Sequence, residues 1–445
     1  MEQTSTVFYG TIAHSLSPQV LEHACNTVIV VDNSTGVITH IERDVQHLES
    51  FLKHANLTDA KIHTLHHDEF LMPGLVDTHA HAPQYVFSGS NMDHQLLEWL
   101  NAHVFPCEAA FNDTKYAAKI YRRVIQRFLA NGTTTCSWFA TIHLDACKAL
   151  VDIIDELGQR AYVGKVNMDQ NSPEFYIEST ESSLKDTRDF IDYVLSKKHS
   201  LVTPVVTPRF AISCTRKLMD GLGELAKEYD LPIQTHLCEN LKEIELTKSL
   251  FKDSKDYTSV YDKSNLLNEK SYMAHCVHMT EDELTMLAER KTGVAHCANS
   301  NFSLHSGVCN VRRILEKGIK VGLGTDVAGG FSPSMLDAVR STFFASKTMK
   351  IMKQSDDYKY LSVPELFYLA TLGGAKVLNL EQKIGNFVVG KAFDALWIDL
   401  KHGSVDLMGE ECVPQKVEKF LFNGSDQNIR HVYVQGKRVA GRRHD

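Results

Sequence analysis

Residues 73–84 read PGLVDTHAHAPQ, a stretch in which an apolar run ends in two histidines one residue apart. Because side chains alternate between the two faces of a β-strand, His79 and His81 would point the same way and could bind one metal ion. A chain with 22 histidines also contains such pairs by chance, and two polar residues can simply end a strand. The pair gains weight only if further metal ligands end other strands.

Seven other short apolar runs alternate with longer segments of helical period between Pro73 and about Leu378. This alternation is typical of parallel strands joined by helices. The eight predicted strands are GLVDTHAH from Gly74, TTTCSWFA from Thr133, RAYVGKVNM from Arg160, LVTPVVTPRF from Leu201, PIQTHLCE from Pro232, SYMAHCVH from Ser271, GVAHCANS from Gly293 and KVGLGTD from Lys320. Eight β/α units over roughly 300 residues fit an α/β fold of the (β/α)8 TIM-type barrel class.

The two ends of the chain differ from this central part. TVIVVDNSTGVITHIER from Thr27 predicts a β-hairpin, and ALWIDL from Ala395 and VYVQGKRV from Val432 predict further antiparallel strands. Chain termini often lie close together, so both ends are expected to build one small β domain. The predicted divisions are residues 1–70 and 379–445 for this terminal domain and residues 71–378 for the barrel. The charged stretch Asp253–Lys263 is interpreted as a solvated loop.

Composition excludes several classes of protein. The chain has 445 residues, of which 43% are hydrophobic, enough to fill a sizeable core. Lys and Arg total 47 against 55 Asp and Glu, so no broad basic surface is available for nucleic acid, and a small substrate is favoured. The ten cysteines form no C-x-x-C pair, which indicates free thiols in a reducing compartment. With neither a leader pattern nor a membrane span in the sequence, we expect a cytosolic protein without membrane contact.

Metal-binding side chains recur at the ends of the predicted strands. The first strand ends in His79 and His81, the fifth in His236, the sixth in His275 and the eighth in Asp326. The carboxyl ends of barrel strands form the catalytic face of this fold. Three or four imidazole and carboxylate ligands with one open position are typical of catalytic zinc. Singly, each residue is more often a core or capping residue, but that reading does not explain why all five lie on one rim.

Four of these stretches, PGLVDTHAHAPQ, QTHLCEN, MAHC and GLGTD, resemble motifs of the amidohydrolase superfamily of metal-dependent hydrolases. HAPQYVFSGSN with LLEWL, TPRF, YTSVYD and GTDVAGG with SMLDAVR are similar to the branch that hydrolyses guanine to xanthine and ammonia. The similarity runs from about Met72 to Leu380. It implies a distorted TIM barrel with a β-sandwich domain from both termini, one Zn²⁺ per chain, guanine as the small-molecule substrate, and a homodimer.

The resemblance also implies roles for individual residues. The implied zinc ligands are His79, His81, His236 and Asp326, and the implied catalytic residues are Glu239, Asp326 and His275. Zinc lowers the pKa of a bound water to about 7, and Asp326 would take the proton of that water. Glu239 would protonate a ring nitrogen and then help the amino group to leave. The alternative for Glu239 is an acid that begins a helix, which is common.

Substrate contacts are implied for residues at four of the strand ends, namely His81, Ala82, Pro83, Gln84, Arg209, Phe210, His236, Glu239 and Asp326. Arg209 can donate two parallel hydrogen bonds to O6 and N7 of guanine. Phe210 could lie against the purine face, and Gln84 offers both a donor and an acceptor to a ring edge. The alternatives are a surface arginine paired with an acid, a core phenylalanine and a solvated glutamine.

Other interpretations remain open from the sequence. One is another superfamily member, such as a deaminase of a different purine or a chlorohydrolase, and the second is a catalytically inactive relative kept as a scaffold. Ala298 stands where the resemblance predicts proline, in a loop expected to shape the pocket. Trp99, at helical spacing with Leu96 and Leu100, is expected in the core rather than over the substrate. The deaminase design with one histidine and two cysteines on zinc is absent.

Overall fold

The computed structural model describes residues 4–198, 201–354 and 357–442 of the chain. The outermost three residues at each end of the predicted terminal domain lie outside these ranges. The described residues form a mixed α/β fold with parallel sheets in the middle of the chain and a largely antiparallel sheet from its two ends.

Two four-stranded parallel sheets contain the strands predicted from the sequence. In spatial order, the first holds Leu75–His81, Thr133–Phe139, Arg160–Gly164 and Val202–Pro204, and the second holds Ile233–Leu237, Ser271–His275, Gly293–His296 and Val321–Leu323. Val166–Asn167 and Thr207–Pro208 form a separate parallel pair. Leu75–His81 and Thr133–Phe139 are buried at every residue, so both faces of these strands are covered.

Backbone contacts connect the two parallel sheets at both edges. On one side, Val206 forms a parallel bridge with Ile233. On the other side, Asp326 N–H donates to the His79 carbonyl over 2.8 Å, and His81 N–H donates to the Val327 carbonyl over 3.0 Å. The ends of the first and last parallel strands are therefore neighbours.

The sheet from the two termini has eight strands. They are Ser5–Ser17, Val20–Asp32, Ile38–Glu42, Lys61–Thr64, Glu69–Pro73, Ala395–Asp399, Ile429–Val434 and Lys437–Gly441. The predicted hairpin near the N-terminus and the predicted antiparallel strands near the C-terminus are confirmed. Gln435 and Gly436 both have positive φ, 49° and 72°, as a two-residue hairpin turn of the primed kind requires.

Helices cover the strands and fill the connections. The α-helices are Leu48–His54, Leu96–Trp99, Phe105–Ala109, Thr114–Ala130, Leu144–Leu157, Thr180–Ser196, Arg216–Glu228, Leu241–Leu250, Tyr257–Asp262, Glu281–Glu289, Ala298–Ser303, Val311–Glu316, Met335–Lys353, Val363–Tyr368, Gly374–Val377 and Val413–Asn423. Short 3₁₀ turns span Ala82–Phe87, Ala110–Asn112, Ala211–Ser213 and Asp426–Asn428, and π-turns span Leu100–Val104 and Leu369–Gly373. Across the described ranges, every helix is too short or too polar to cross a membrane.

The helix Thr114–Ala130 shows how the sequence produces these elements. It begins because the Asp113 carboxylate accepts hydrogen bonds from the backbone N–H groups of Lys115 and Tyr116. Its buried face includes Tyr121, Val124 and Phe128 at spacings of three and four, which is the period of one helical face.

Two sequence expectations are wrong in their details. Asp253–Lys263 is not a solvated loop throughout, because Tyr257–Asp262 is a helix that buries Tyr257, Val260 and Tyr261. Charged neighbours in the sequence concealed this short apolar face. The predicted strand from Gly293 ends at His296, and Ala298 begins the helix Ala298–Ser303 rather than lying in a loop.

A buried ion pair joins the parallel strands to the chain's C-terminal part. Arg160 donates to Asp394 from Nε over 2.9 Å and from Nη2 over 3.1 Å, and both side chains are almost fully buried. Asp394 also accepts from the backbone N–H of Gln435 over 2.8 Å. This pair fixes the first parallel sheet against the terminal sheet.

We expect Asp394→Asn to lower the free energy of unfolding by about 3 kcal/mol, because Arg160 would keep its charge in a buried site without a counter-ion. Denaturant unfolding followed by circular dichroism measures this. Glu156→Gln is the matched control, since Glu156 pairs with Arg122 at the exposed surface and its loss should leave the midpoint unchanged. Equal midpoints for Asp394→Asn and the unmodified chain would contradict the assigned role.

Candidate active site

The predicted metal ligands come together at the carboxyl ends of the parallel strands. His79 Nε2 lies 3.1 Å from Asp326 Oδ1, and His81 Nε2 lies 3.4 Å from the same oxygen. His81 Nε2 is 3.2 Å from His236 Nε2. One ligand atom from each of these four residues lies within 4.8 Å of the other three. The strand-end rule that linked them in the sequence therefore corresponds to a real cluster.

The chemistry of this cluster fits a metal ion. His79 Nε2 and His275 Nε2 are buried and make no hydrogen bond of acceptable geometry to any described residue. An unpaired buried ring nitrogen is costly unless another partner satisfies it, and a metal ion is such a partner. Three imidazoles and one carboxylate form a donor set that suits zinc among the common divalent metals.

Protonation states also favour metal binding. Burial lowers the pKa of His81 to about 4 and holds the pKa values of His79 and His236 below their usual range, so these rings are neutral at pH 7. Although burial opposes ionisation, the adjacent His79 and His81 keep the pKa of Asp326 well below its ordinary value. Neutral imidazole and ionised carboxylate are the forms that bind metals.

Further contacts orient the cluster. His236 Nδ1 lies 2.6 Å from the Arg209 carbonyl, and His275 Nδ1 lies 2.9 Å from Asn301 Oδ1. These contacts direct Nε2 of each ring toward the cluster. Tyr261 donates to the His236 carbonyl over 2.8 Å, so the unexpected helix Tyr257–Asp262 supports a ligand strand.

The backbone turns out of the strand conformation at two site residues. His275 has φ +72° and Asp326 has φ +47°, in a region that residues with side chains rarely adopt. Such conformations persist where surrounding contacts hold them, and they occur preferentially at functional sites. At both strand ends the turn changes the direction of the side chain and helps aim it at the cluster.

Glu239 lies beside this cluster but outside the four-residue ligand group. It precedes the helix Leu241–Leu250, whose first turn is capped by Asn240 and Glu243, so helix initiation does not account for Glu239. Its Oε1 accepts from Ser306 over 2.9 Å, and its Oε2 is 3.3 Å from His275 Nε2. Burial, with the negative charge of Asp326, raises the pKa of Glu239 to about 8. A carboxyl group in this state can donate a proton at neutral pH.

A cavity opens onto the cluster. The residues that line it are His81, Gln84, Leu96, Trp99, Leu100, Arg209, Phe210, His236, Glu239, His275, Leu304 and Asp326. Seven of the nine residues expected to contact substrate are among them. Ala82 and Pro83 are buried in the turn Ala82–Phe87 and do not line the cavity.

Sequence reasoning missed part of the cavity wall. Trp99 is buried, as expected, but with Leu96 and Leu100 it also faces the cavity. Glu108 was not recognised, although it is fully buried and pairs with Arg209 at 2.6 Å. The available signal was an acid within the apolar segment VFPCEAAF, where a solvated charge is out of place.

The chain is similar to known proteins in sequence and in structure. The Amidohydrolase family model matches residues 70–439. Guanine deaminase from Mus musculus is 48% identical over 98% of this chain and 96% of its own length, and guanine deaminase from Dictyostelium discoideum is 42% identical over 97% and 98%. A crystal structure of guanine deaminase from C. acetobutylicum, with guanine bound in its active site, is 36% identical, with a TM-score of 0.91 over 98% of this chain and 100% of the other.

We expect the purified chain to bind about one divalent metal ion, and His81→Ala to lose it on dialysis because one of four ligands is removed. Elemental analysis of protein and metal together measures the stoichiometry. His54→Ala is the matched control, since His54 lies on an exposed helix of the terminal part and should leave the metal content unchanged. Full metal content in folded His81→Ala would contradict the assignment.

Proposed function

The chain belongs to the amidohydrolase family, and from that premise we propose that it hydrolyses guanine to xanthine and ammonia at a single zinc ion. The observation that carries the proposal is the convergence of the histidine–aspartate cluster, Glu239 and Arg209 on one cavity. The cluster supports hydrolysis, and the guanidinium supports recognition of an oxopurine. The similarity to guanine deaminases over nearly the whole chain supports the choice of substrate.

His79, His81, His236 and Asp326 hold the zinc ion in this proposal. When bound, the ion supplies a Lewis acid that lowers the pKa of water toward neutrality. Asp326 Oδ2 accepts a proton from the water that attacks C2 of guanine. His275, whose Nε2 lies 3.6 Å from Asp326 Oδ2 and 3.3 Å from Glu239 Oε2, orients that water between the two carboxyl groups.

Glu239 is the proton carrier on the substrate side. Its raised pKa keeps a proton available at neutral pH, and this proton passes to a ring nitrogen so that C2 becomes electrophilic. The proton taken from the attacking water then passes to the amino group, and the C2–N bond breaks to release ammonia. As the C2 carbonyl of xanthine forms, the remaining hydroxyl proton returns to Glu239 and restores its protonated state. Guanine and one water are consumed, and xanthine and one ammonia are released.

Arg209, Gln84 and Phe210 bind the rest of the purine. Arg209 donates to O6 and N7, which are both acceptors in guanine, whereas adenine has a donating amino group at C6. Gln84 contacts the ring edge and Phe210 one ring face. Leu96, Trp99 and Leu100 close the apolar side of the cavity and keep water from the remaining faces.

We also propose an architecture for the whole chain. The Val206–Ile233 bridge and the backbone hydrogen bonds from Asp326 to His79 and from His81 to Val327 support closure of the parallel strands into a TIM-type barrel over residues 71–378. Residues 1–70 and 379–445 then form a β-sandwich domain, supported by their shared eight-stranded sheet. We further propose a homodimer in the cytosol, where the ten free cysteines would stay reduced.

Glu239→Gln should lower kcat for guanine by roughly 10² to 10⁴, because the amide keeps the shape of the side chain but carries no transferable proton. Zinc content should be unchanged. Steady-state kinetics with elemental analysis measures both quantities, and Glu228→Gln at the exposed surface is the control that should retain full activity. Normal turnover by Glu239→Gln would place the proton carrier elsewhere.

Arg209→Lys should raise KM for guanine and lower kcat/KM by roughly tenfold or more, because the ammonium keeps the charge beside Glu108 but lacks the planar fork. Zinc content should not change. Kinetics on guanine and adenine measures the effect, with Arg188→Lys at the exposed surface as control. An unchanged kcat/KM for guanine would mean that Arg209 does not read the base.

A further inference from the structure

Glu108 lies behind Gln84 and Arg209, two of the polar residues that face the substrate cavity, and does not line the cavity itself. Its carboxylate accepts four hydrogen bonds. Oε1 accepts from Gln84 Nε2 over 2.9 Å and from Arg209 Nη2 over 3.2 Å, while Oε2 accepts from Arg209 Nη1 over 2.6 Å and from Tyr176 OH over 2.8 Å. One fully buried acid therefore contacts both Gln84 and Arg209.

These contacts fix which way the Gln84 amide points. Its Nε2 donates to the Glu108 carboxylate, and its Oε1 accepts from the backbone N–H of Ala328 over 3.2 Å. A flipped amide would place its oxygen against the carboxylate and its N–H₂ group against a donor. The remaining N–H of Gln84 is consequently held in one direction.

The same carboxylate fixes the plane of the Arg209 guanidinium. Two of its five N–H donors bind Glu108 in a fork, and the guanidinium also lies 5.2 Å over the ring of Phe105. Although burial opposes ionisation, Arg209 holds the pKa of Glu108 below its ordinary value, so the pair is charged and mutually compensated. The donors of Arg209 that Glu108 does not use keep a fixed direction because the group is planar.

We propose that Glu108 is a positioning residue that holds Gln84 and Arg209 as one fixed array of hydrogen-bond donors, and that this array makes the site select purines with an oxo group at C6. The inference rests on the proposed function for its choice of ligands. A donor array that is set before binding rejects a ligand without the matching acceptor, because buried donors are then left unpaired.

A purely structural role for Glu108 predicts different behaviour. In that case the loss of Glu108 would weaken the binding of all purines alike and would also destabilise the fold. The Arg160–Asp394 pair offers the comparison, because it is equally buried, equally forked and outside the cavity lining. Asp394→Asn therefore controls for the general effect of breaking a buried ion pair.

Glu108→Gln tests the proposal. Its amide N–H₂ would replace one of the two carboxylate oxygens, and it would face hydrogen-bond donors whichever oxygen it replaced. Calorimetry on the zinc-loaded protein would compare hypoxanthine, which carries the 6-oxo group, with unsubstituted purine, which lacks it. We expect the preference for hypoxanthine to fall at least tenfold in Glu108→Gln and to stay unchanged in Asp394→Asn. KM for guanine should rise more than kcat falls, and Glu108→Asp should restore part of the preference.

Tyr176→Phe removes one of the four hydrogen bonds and keeps the charge, so it serves if Glu108→Gln does not fold. It should reduce the preference about threefold. An unchanged preference for hypoxanthine over purine in folded Glu108→Gln overturns the positioning role. If only Tyr176→Phe folds, an unchanged preference in that variant overturns it instead. In either case, guanine turnover by the unmodified chain leaves the proposed function standing. The unmodified chain could instead fail to deaminate guanine while Glu108→Gln still loses the preference for hypoxanthine. That result overturns the proposed function and supports the positioning role.

Discussion

The site depends on the alignment of parallel strands, because this alignment brings residues that are far apart in the sequence to one edge. His79 and His236 are more than a hundred and fifty residues apart in the chain, and His236 and Asp326 are ninety residues apart. Their ligand atoms nevertheless lie within 4.8 Å of one another. Asp77 reinforces this alignment, since its carboxylate accepts from the backbone N–H groups of His79 and Thr325 and so joins the first strand to the last. A shift of register at this contact would separate the ligands.

Burial of so many polar groups is tolerated because each has a defined electrostatic partner or role. His79, His81 and His236 are neutral, Asp326 is ionised beside them, and Glu239 is protonated at neutral pH. On the opposite wall, Glu108 and Arg209 compensate each other's charge. The cavity therefore contains one wall that can bind a metal and transfer protons and another that presents fixed hydrogen-bond donors, and this division is what guanine hydrolysis requires.

Much of the site could be predicted from the sequence because metal ligands follow a positional rule. Side chains at strand ends share one rim, so His79, His81, His236, His275 and Asp326 could be grouped before their distances were known. The eight strands of the two four-stranded parallel sheets could be located because buried strands are rich in apolar and β-branched residues. The zinc ligands' detailed assignment and the substrate contacts came from a family resemblance and stay proposals.

Other features left no periodic signal in the sequence. Glu108 lies in a connection after the first strand, and only tertiary packing brings it beside Arg209. Product analysis with the purified, zinc-loaded chain on guanine tests the central claim most directly. The account predicts one xanthine and one ammonia for each guanine consumed. Folded, zinc-loaded protein that leaves guanine unchanged would contradict it.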